Sequence, residues 1–206
     1  GGFLGGPATP AAAASKLAMD KAAAKRCFLE VGVPTPPYEV VDRRSLARLA
    51  ERFATPAVVK PIASGSSVDT TIARSSDALT RAARDVVERY GQALIERYIA
   101  GRELTVAILA DEALPVCEIR TQREFYDYQA KYIDDNTQYL FDLDIPDDVL
   151  RRVQQLSLKA HRALGCRVFS RVDCMLDADM WPHFLEVNTI PGFTSHSLVP
   201  KAAAKR

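Results

Sequence analysis

The feature that most constrains this 206-residue chain is a pair of alternating segments near its end. Residues 167–177 and 181–188 alternate polar with apolar side chains, a period of two that is typical of half-buried strands. The turn Asp177-Ala-Asp179 between them predicts an antiparallel hairpin. The chain is therefore expected to contain a sheet with one apolar face and one polar face.

The polar face of this hairpin carries candidate metal ligands. Because successive side chains of a strand point to opposite faces, Arg171 and Asp173 lie together on the first strand. On the second strand Glu186 and Asn188 lie together, with Leu185 on the opposite face. Oxygen ligands of this kind suit a hard cation such as Mg²⁺. A solvated polar face is the alternative, and spacing alone leaves both interpretations open.

A loop of small residues follows a β-branched strand that ends in Lys60. In the loop Ser64-Gly-Ser-Ser67, small side chains leave backbone N–H groups free to wrap a phosphate, and Lys60 supplies a positive charge. The segment is not a Walker A loop, because no Gly-Lys-Ser/Thr follows. The alternative is an ordinary turn.

The polar loop Thr189–Ser197 follows the second hairpin strand directly. Its backbone N–H groups could hold a developing oxyanion, and a serine in it could hold a carboxylate. An ordinary polar loop is the alternative. His161 and His183 lack partners at catalytic spacing, so we expect both to be structural.

Strands and helices mix without strict βαβ alternation, which predicts an α+β fold in two lobes. Ser15 is the expected N-cap of a helix over 16–31 that stops at Gly32, and a second helix runs from Pro146 through Ala163. The other predicted elements are strands at 38–41, 57–60, 70–73, 93–97, 103–110 and 114–120, helices at 45–53 and 76–90, and a loop over 121–139.

Composition excludes several classes of protein. A hydrophobic share of 48%, a charged share of 26% and a net charge of +1 are typical of a soluble globular protein and provide no basic field for nucleic acid. No apolar run approaches the roughly 20 residues of a membrane span. The four cysteines form no CxxC pair, so we expect reduced, packed thiols.

Taken together, these segments resemble the D-alanine–D-alanine ligases of the ATP-grasp superfamily. The resemblance covers nearly the whole chain, and its last stretch is highly specific to the family. The matching segments are Met19-Asp-Lys21, Val33-Pro-Thr-Pro-Pro37, Val58-Val-Lys-Pro61, Gly65-Ser-Ser67, Ile95-Glu-Arg97, Gly101-Arg-Glu-Leu-Thr-Val106, Glu124-Phe-Tyr-Asp-Tyr-Gln-Ala-Lys-Tyr132, Thr137-Gln-Tyr139, Gly165-Cys166, Arg171-Val-Asp173, Leu185-Glu-Val-Asn-Thr189 and Pro191-Gly-Phe-Thr-Ser-His-Ser-Leu-Val-Pro200.

The resemblance implies an ATP-grasp fold, in which two α+β lobes clasp ATP between them. It divides the chain into a linker or remnant of a missing N-terminal domain (1–20), a central lid domain (21–97) and a C-terminal catalytic domain (98–206) that is truncated at its end.

The resemblance also implies roles for individual residues. ATP would contact Lys21, Lys60, Ser67, Glu96, Tyr98, Ile99 and Glu103, with the two lysines at its phosphates. Two Mg²⁺ ions, or Mn²⁺, would be held by Asp173, Glu186 and Asn188. The catalytic residues would be Arg171 and Gly192 at the oxyanion and Ser66, Lys131 and Tyr132 in the closing loop. Ser197 and Tyr126 would bind substrate.

The implied reaction joins two D-alanines through a D-alanyl phosphate to make a peptidoglycan precursor in the cytoplasm. The implied partners are small molecules and a second copy of the chain, with no nucleic acid and no membrane. Tyr132 favours an amine acceptor over a hydroxyl. Two alternatives stay open: a fragment that binds ATP and magnesium with little activity, and a ligase with a different amine or hydroxyl acceptor.

The chain departs from the family pattern at two positions of the segment 64–69, which matches the family's phosphate loop and is called the phosphate loop below. Ser64 stands where most members have an acidic residue, and Asp69 stands where they usually have glycine. A carboxylate at position 69 would repel ATP unless it points away from the phosphates or meets the metal. The sequence therefore leaves the affinity for ATP in question.

Overall fold

A computed structural model describes residues 10–65, 68–120, 137–192 and 197–205. Within these ranges the chain folds into two antiparallel sheets, each covered by helices. This arrangement confirms the predicted α+β fold in two lobes. Among the helices described, none has the length and apolar character needed to cross a membrane.

Two short helices stand at the start, where the sequence predicts a single helix over 16–31. They are α1 (Pro10–Met19) and α2 (Lys21–Glu30), and Asp20 separates them. The Asp20 carboxylate accepts a 2.8 Å hydrogen bond from the Ala23 N–H and so caps α2. This local bond competes with continued helix, and Ser15, the predicted cap, lies inside α1.

The first sheet has four strands in the order β1-β4-β2-β3. Its strands are β1 (Tyr38–Asp42), β2 (Ala57–Pro61), β3 (Thr71–Ala73) and β4 (Gln92–Arg97), and all neighbours are antiparallel. A 3₁₀ turn (Leu46–Arg48) and helix α3 (Leu49–Arg52) replace the single helix predicted over 45–53. The Ser45 hydroxyl bonds to Asp42 instead of capping that segment.

Helix α4 (Ser76–Tyr90) covers one face of the first sheet, and Ser75 caps it. Its apolar stripe packs with Val59 of β2 and Ile95 of β4 in a fully buried core. Because strand side chains alternate, Lys60 and Glu96 point to the other face, away from α4. This places two charged groups on the side that faces α2.

The second sheet has the order β10-β9-β5-β7-β8, with β6 paired to β5. Its strands are β5 (Arg102–Leu109), β6 (Glu112–Ala113), β7 (Cys117–Arg120), β8 (Gln138–Leu140), β9 (Phe169–Leu176) and β10 (Pro182–Asn188). Two helices complete this lobe, α5 (Asp147–Ala163) and α6 (Leu198–Ala203).

The apolar face of the second sheet forms the larger core. Leu104, Val106, Val172 and Cys174 pack there against α5 and against Phe28 of α2. The opposite face is polar on β5, β9 and β10. Helix α2 therefore shares the core of the second sheet while its other side approaches the first.

Two segments of the second lobe differ from the prediction. The strand predicted over 114–120 is reduced to β7, with β6 before it, because Pro115 lacks an N–H for the ladder. Part of the loop predicted over 121–139 is strand β8. Residues 121–136 of that loop lie outside the described ranges.

Candidate active site

The hairpin β9–β10 forms the floor of the site. Its register places Glu186 directly opposite Asp173, and Asn188 opposite Arg171. This confirms the predicted antiparallel hairpin. A register shift between Phe184 and Glu186 makes Leu185 the extra residue of a bulge. Phe184 and Val187 of β10 pack in the core, whereas Leu185, expected on the apolar face, is not part of that core, a detail that strict alternation does not predict.

Asp173 is held from two neighbouring positions of the sheet. Arg171 donates to both carboxylate oxygens, from Nε to Oδ1 at 2.9 Å and from its terminal nitrogen to Oδ2 at 2.7 Å. The Thr105 hydroxyl donates to Oδ1 at 2.7 Å. Thr105 is not among the residues predicted from the sequence, although its position two residues after Glu103 in β5 places both on the polar face.

Lys21 links the phosphate loop to the hairpin. Its ammonium group donates to the Ser64 carbonyl and lies 3.8 Å from the Glu186 carboxylate. The Asn188 side-chain oxygen accepts a 3.0 Å bond from the Ile190 N–H. The polar residues that line the pocket between loop and hairpin are Lys21, Ser64, Gly65, Arg171, Glu186, Asn188 and Thr189.

The oxygen donors on the polar face of the hairpin fit a magnesium ion. Across the described ranges, no group of three or more His, Cys, Asp or Glu side chains is arranged to hold a metal. Asp173, Glu186 and Asn188 instead offer two carboxylates and one amide oxygen. Mg²⁺ commonly binds one or two carboxylates and completes its shell with water and substrate phosphates, so this donor set suits it when a phosphate is present.

A buried triad lies between the lobes. Glu96 Oε1 forms ion pairs with the ammonium groups of Lys25 at 3.0 Å and Lys60 at 2.9 Å, and Lys25 is fully buried. Lys25 also donates to Thr35 at 2.6 Å, and Thr35 donates to the Phe184 carbonyl at 2.7 Å. A polar chain thus runs from β4 through α2 to β10.

Lys25 is likewise not among the residues predicted from the sequence. It lies one helical turn after Lys21, and this i, i+4 spacing could have indicated a shared face. Burial lowers the pKa of Lys25 to about 8. Burial alone would raise the pKa of Glu96, but the two ammonium groups outweigh it and hold that pKa below its usual value. With both lysines protonated, the triad has one excess positive charge, which an anionic ligand could neutralise.

Asp69 points away from the pocket. Its carboxylate accepts from Arg89 at 2.9 Å and from the Tyr90 hydroxyl at 2.5 Å, and it lies in a groove along α4. The backbone at Asp69 has a φ of +54°, the left-handed conformation that glycine also adopts. The carboxylate is thus paired beside α4 instead of lying in the pocket between the loop and the hairpin.

The connection from β4 to β5 joins the two sheets and contains Tyr98 and Ile99, two of the predicted ATP contacts. The Tyr98 N–H donates to the Pro56 carbonyl at 3.2 Å, and Ile99 is half-buried. Gly101 lies against the end of β9, where a Cβ atom would overlap the Leu176 carbonyl. Glu103 follows on the polar face of β5.

Gly192 and Ser197 meet across the polar loop. A Cβ atom on Gly192 would lie 2.7 Å from the Ser197 hydroxyl oxygen. Ser197 precedes α6 directly. The predicted oxyanion donor and the predicted carboxylate ligand are therefore neighbours.

The remaining predicted residues divide into two groups. His161 bonds to Ser170 at 2.7 Å and His183 to Asp177 at 2.8 Å, in agreement with the structural roles expected for both. Five predicted site residues lie outside the described ranges: Ser66, Ser67, Tyr126, Lys131 and Tyr132.

Comparison with known proteins matches this arrangement to one family. The family described as D-ala D-ala ligase C-terminus matches residues 28–206. The D-alanine--D-alanine ligase of Bordetella petrii is 45% identical over 195 residues, which cover 92% of this chain and 60% of that protein. That of Rhodospirillum rubrum is 44% identical and is covered over 62% of its length. The chain thus spans about three fifths of these relatives.

Comparison with solved structures leads to the same family. The D-alanine--D-alanine ligase from Bacillus anthracis complexed with ATP superposes with a TM-score of 0.76 at 32% identity, over 94% of this chain and 62% of that one. The VanG D-Ala:D-Ser ligase from Enterococcus faecalis gives a TM-score of 0.81 at 31% identity, over 93% and 58%. Both the sequence and the fold therefore assign this chain, with its ATP-grasp architecture, to the D-alanine–D-alanine ligase family.

Proposed function

We propose that this chain is the ATP- and magnesium-binding part of a ligase that joins two D-alanines through a D-alanyl phosphate. The observation that carries the proposal is the cross-strand pair Asp173 and Glu186, with Lys21 3.8 Å from Glu186 and bonded to the phosphate loop. The names of the relatives support the substrate. Two carboxylates beside a lysine suit a metal-bound polyphosphate.

In this proposal Asp173, Glu186 and Asn188 hold the metal. When bound, magnesium neutralises charge on the β- and γ-phosphates during phosphoryl transfer. Lys21 contacts the phosphates from α2, and Lys60 contacts them from β2 with the help of the excess charge of the triad.

The proposed reaction has two steps. The carboxylate of the first D-alanine attacks the γ-phosphorus, and ADP leaves. The amine of the second D-alanine then attacks the acyl carbon and loses a proton, and inorganic phosphate leaves with the electron pair of the broken bond between the acyl carbon and the phosphate oxygen. After the amine attacks and before phosphate leaves, Arg171 and the Gly192 N–H stabilise the oxyanion of the tetrahedral intermediate. Ser197 binds the carboxylate of the second substrate.

The other roles rest on the family resemblance. Glu96, Tyr98, Ile99 and Glu103 contact the adenosine, and Ser67 contacts the nucleotide. Tyr126 contacts substrate. Ser66, Lys131 and Tyr132 close over the site and exclude water, which would hydrolyse the acyl phosphate. The lid domain is residues 21–97 and the catalytic domain is residues 98–206.

The family resemblance is also the basis for the proposed cellular role and oligomeric state. The product feeds peptidoglycan synthesis in the cytoplasm, and the protein acts as a homodimer.

D-serine is a second candidate acceptor. The structural neighbour with a TM-score of 0.81 is a D-Ala:D-Ser ligase. Tyr132, the residue expected to favour an amine acceptor over a hydroxyl, lies outside the described ranges.

The test is phosphate release from ATP and MgCl₂ with D-alanine, and in parallel with D-serine, D-lactate and L-alanine. Release that requires D-alanine, with D-alanyl-D-alanine identified by mass spectrometry, supports the proposal. A reaction that contains both D-alanine and D-serine and yields D-alanyl-D-serine supports the second candidate. If ATP with magnesium neither reacts nor raises the melting temperature, the proposal is wrong.

A further inference from the structure

Thr105 and Asp173 face each other across β5 and β9. They are directly opposite in the register, and the Thr105 hydroxyl donates to Asp173 Oδ1 at 2.7 Å. Both residues are buried, with exposures of 2% and 5%. The bond therefore persists without competition from bulk water.

Packing does not account for a hydroxyl at this position. Valine has the same shape as threonine and is equally suited to a strand. The hydroxyl of Thr105 instead bonds to a carboxylate that we have proposed as a metal ligand. A carboxylate rotates about a broad χ2 torsion, so its ligand geometry depends on the groups that hold it.

The two donors on Asp173 differ in what they do during the reaction. Arg171 is charged, and we have proposed that it stabilises the oxyanion, so its guanidinium divides its donors between the carboxylate and the substrate. Thr105 is neutral and leaves the negative charge of Asp173 available to a cation. It is also fixed in the middle of β5, with paired strands on both sides.

We propose that Thr105 is a positioning residue that orients the Asp173 carboxylate for a divalent cation. This inference rests on the proposed function, since it assumes that the cation binds at Asp173. It assigns to β5 a direct part in the metal site, in addition to the two hairpin strands.

The experiment measures the Mg²⁺ concentration that gives half of the ATP-dependent rise in melting temperature. Thr105→Val should raise that concentration by about tenfold or more, the usual effect of losing a group that orients a metal ligand. Thr105→Ser keeps the hydroxyl and should restore the wild-type value. Free Mn²⁺, followed by its paramagnetic resonance signal with ATP present, gives a second readout that is independent of activity.

Ser170→Ala is the matched control. Ser170 is a fully buried hydroxyl of β9 that bonds to His161 instead of to the site. Its loss should lower the melting temperature without moving the Mg²⁺ midpoint. If Thr105→Val folds poorly, Thr105→Ala removes the same hydroxyl and must show the same rise.

Two results would overturn the inference. One is a Mg²⁺ midpoint in Thr105→Val and Thr105→Ala that equals that of the wild type. The other is an equal rise in Ser170→Ala, which would assign the effect to lost stability. A wild-type chain that shows no magnesium-dependent response to ATP would instead refute the proposed function itself, and the inference with it.

Discussion

The Tyr90 hydroxyl donates a 2.5 Å hydrogen bond to the Asp69 carboxylate and so ties the end of the phosphate loop to the end of helix α4. Arg89 adds a second bond to the same carboxylate at 2.9 Å. Hydrogen bonding to Tyr90 holds the pKa of Asp69 below its ordinary value, with a smaller contribution from Arg89. Arg89 thus balances the negative charge of the Asp69 carboxylate on the side of the loop that faces α4.

This relationship predicts that the charge of Asp69 has little effect on ATP. In Asp69→Asn we expect the Kd for ATP with magnesium to change by less than about twofold, because Arg89 already neutralises the carboxylate and distant exposed charges are screened. Isothermal titration of both proteins measures this. A gain of tenfold or more in affinity would show that the carboxylate acts on the phosphates.

The buried triad predicts a large effect of one substitution and a small effect of another. Glu96→Gln leaves two buried ammonium groups without a carboxylate and should cost about 3–5 kcal/mol in the free energy of unfolding. Lys25→Met leaves the Glu96–Lys60 pair and should cost less than about 1.5 kcal/mol. Urea unfolding measures both, and the double variant should recover part of the loss. Equal losses in the two single variants would contradict the triad.

The low pKa of Lys25 predicts a pH dependence of stability. Its pKa is about 8 in the folded chain and 10.5 ordinarily, so between these values the unfolded state binds the extra proton. Stability should therefore rise from pH 8 to pH 10.5, by at most about 1.4 kcal/mol per pH unit. The free energy of unfolding of wild type minus that of Lys25→Met isolates this group. A difference that stays flat or falls with pH argues against it.

The close approach of Gly101 to β9 predicts that position 101, in the connection between the sheets, has no room for a side chain. A Cβ atom there would overlap the Leu176 carbonyl, which belongs to a paired strand and cannot move cheaply. We expect Gly101→Ala to cost about 1–3 kcal/mol or more in the free energy of unfolding. Gly65→Ala is the control, because among the described residues no atom lies within 4 Å of its added Cβ. Thermal unfolding of the two variants should separate them clearly.

The contact between Gly192 and Ser197 predicts that a side chain at position 192 weakens binding of the second D-alanine and leaves the stability of the fold unchanged. In Gly192→Ala the new Cβ would lie 2.7 Å from the Ser197 hydroxyl, which can rotate away. The fold should hold, while the KM for the second D-alanine should rise roughly tenfold, about 1.4 kcal/mol. The Kd for ATP should stay unchanged. An unaltered KM for the acceptor would remove Ser197 from the substrate site.

The sequence by itself was sufficient for elements whose pattern is local. The alternation in 167–177 and 181–188, with a turn between them, predicts that Asp173 and Glu186 share one face, and the register confirms their pairing. Periodicity also located α4 and α5 to within a residue or two at each end. These features depend on neighbours in the chain, so the sequence contains the necessary information.

Local exceptions were harder to predict. The break at Asp20 and the bulge at Leu185 each depend on one residue leaving the regular pattern. A side chain such as Asp20 can favour either a continued helix or a cap, and packing decides between them.

Only the tertiary structure decided which distant residues meet at the site. Thr105 contacts Asp173 because β5 pairs with β9, although the two residues are 68 positions apart in the chain. Lys25 contacts Glu96 because α2 packs on the second sheet while it faces the first. Strand order and helix docking are set by the burial of apolar surface over the whole chain, and no local period encodes them. The alternation therefore determined the face on which each functional group lies, and the packing of the two lobes determined which groups it meets.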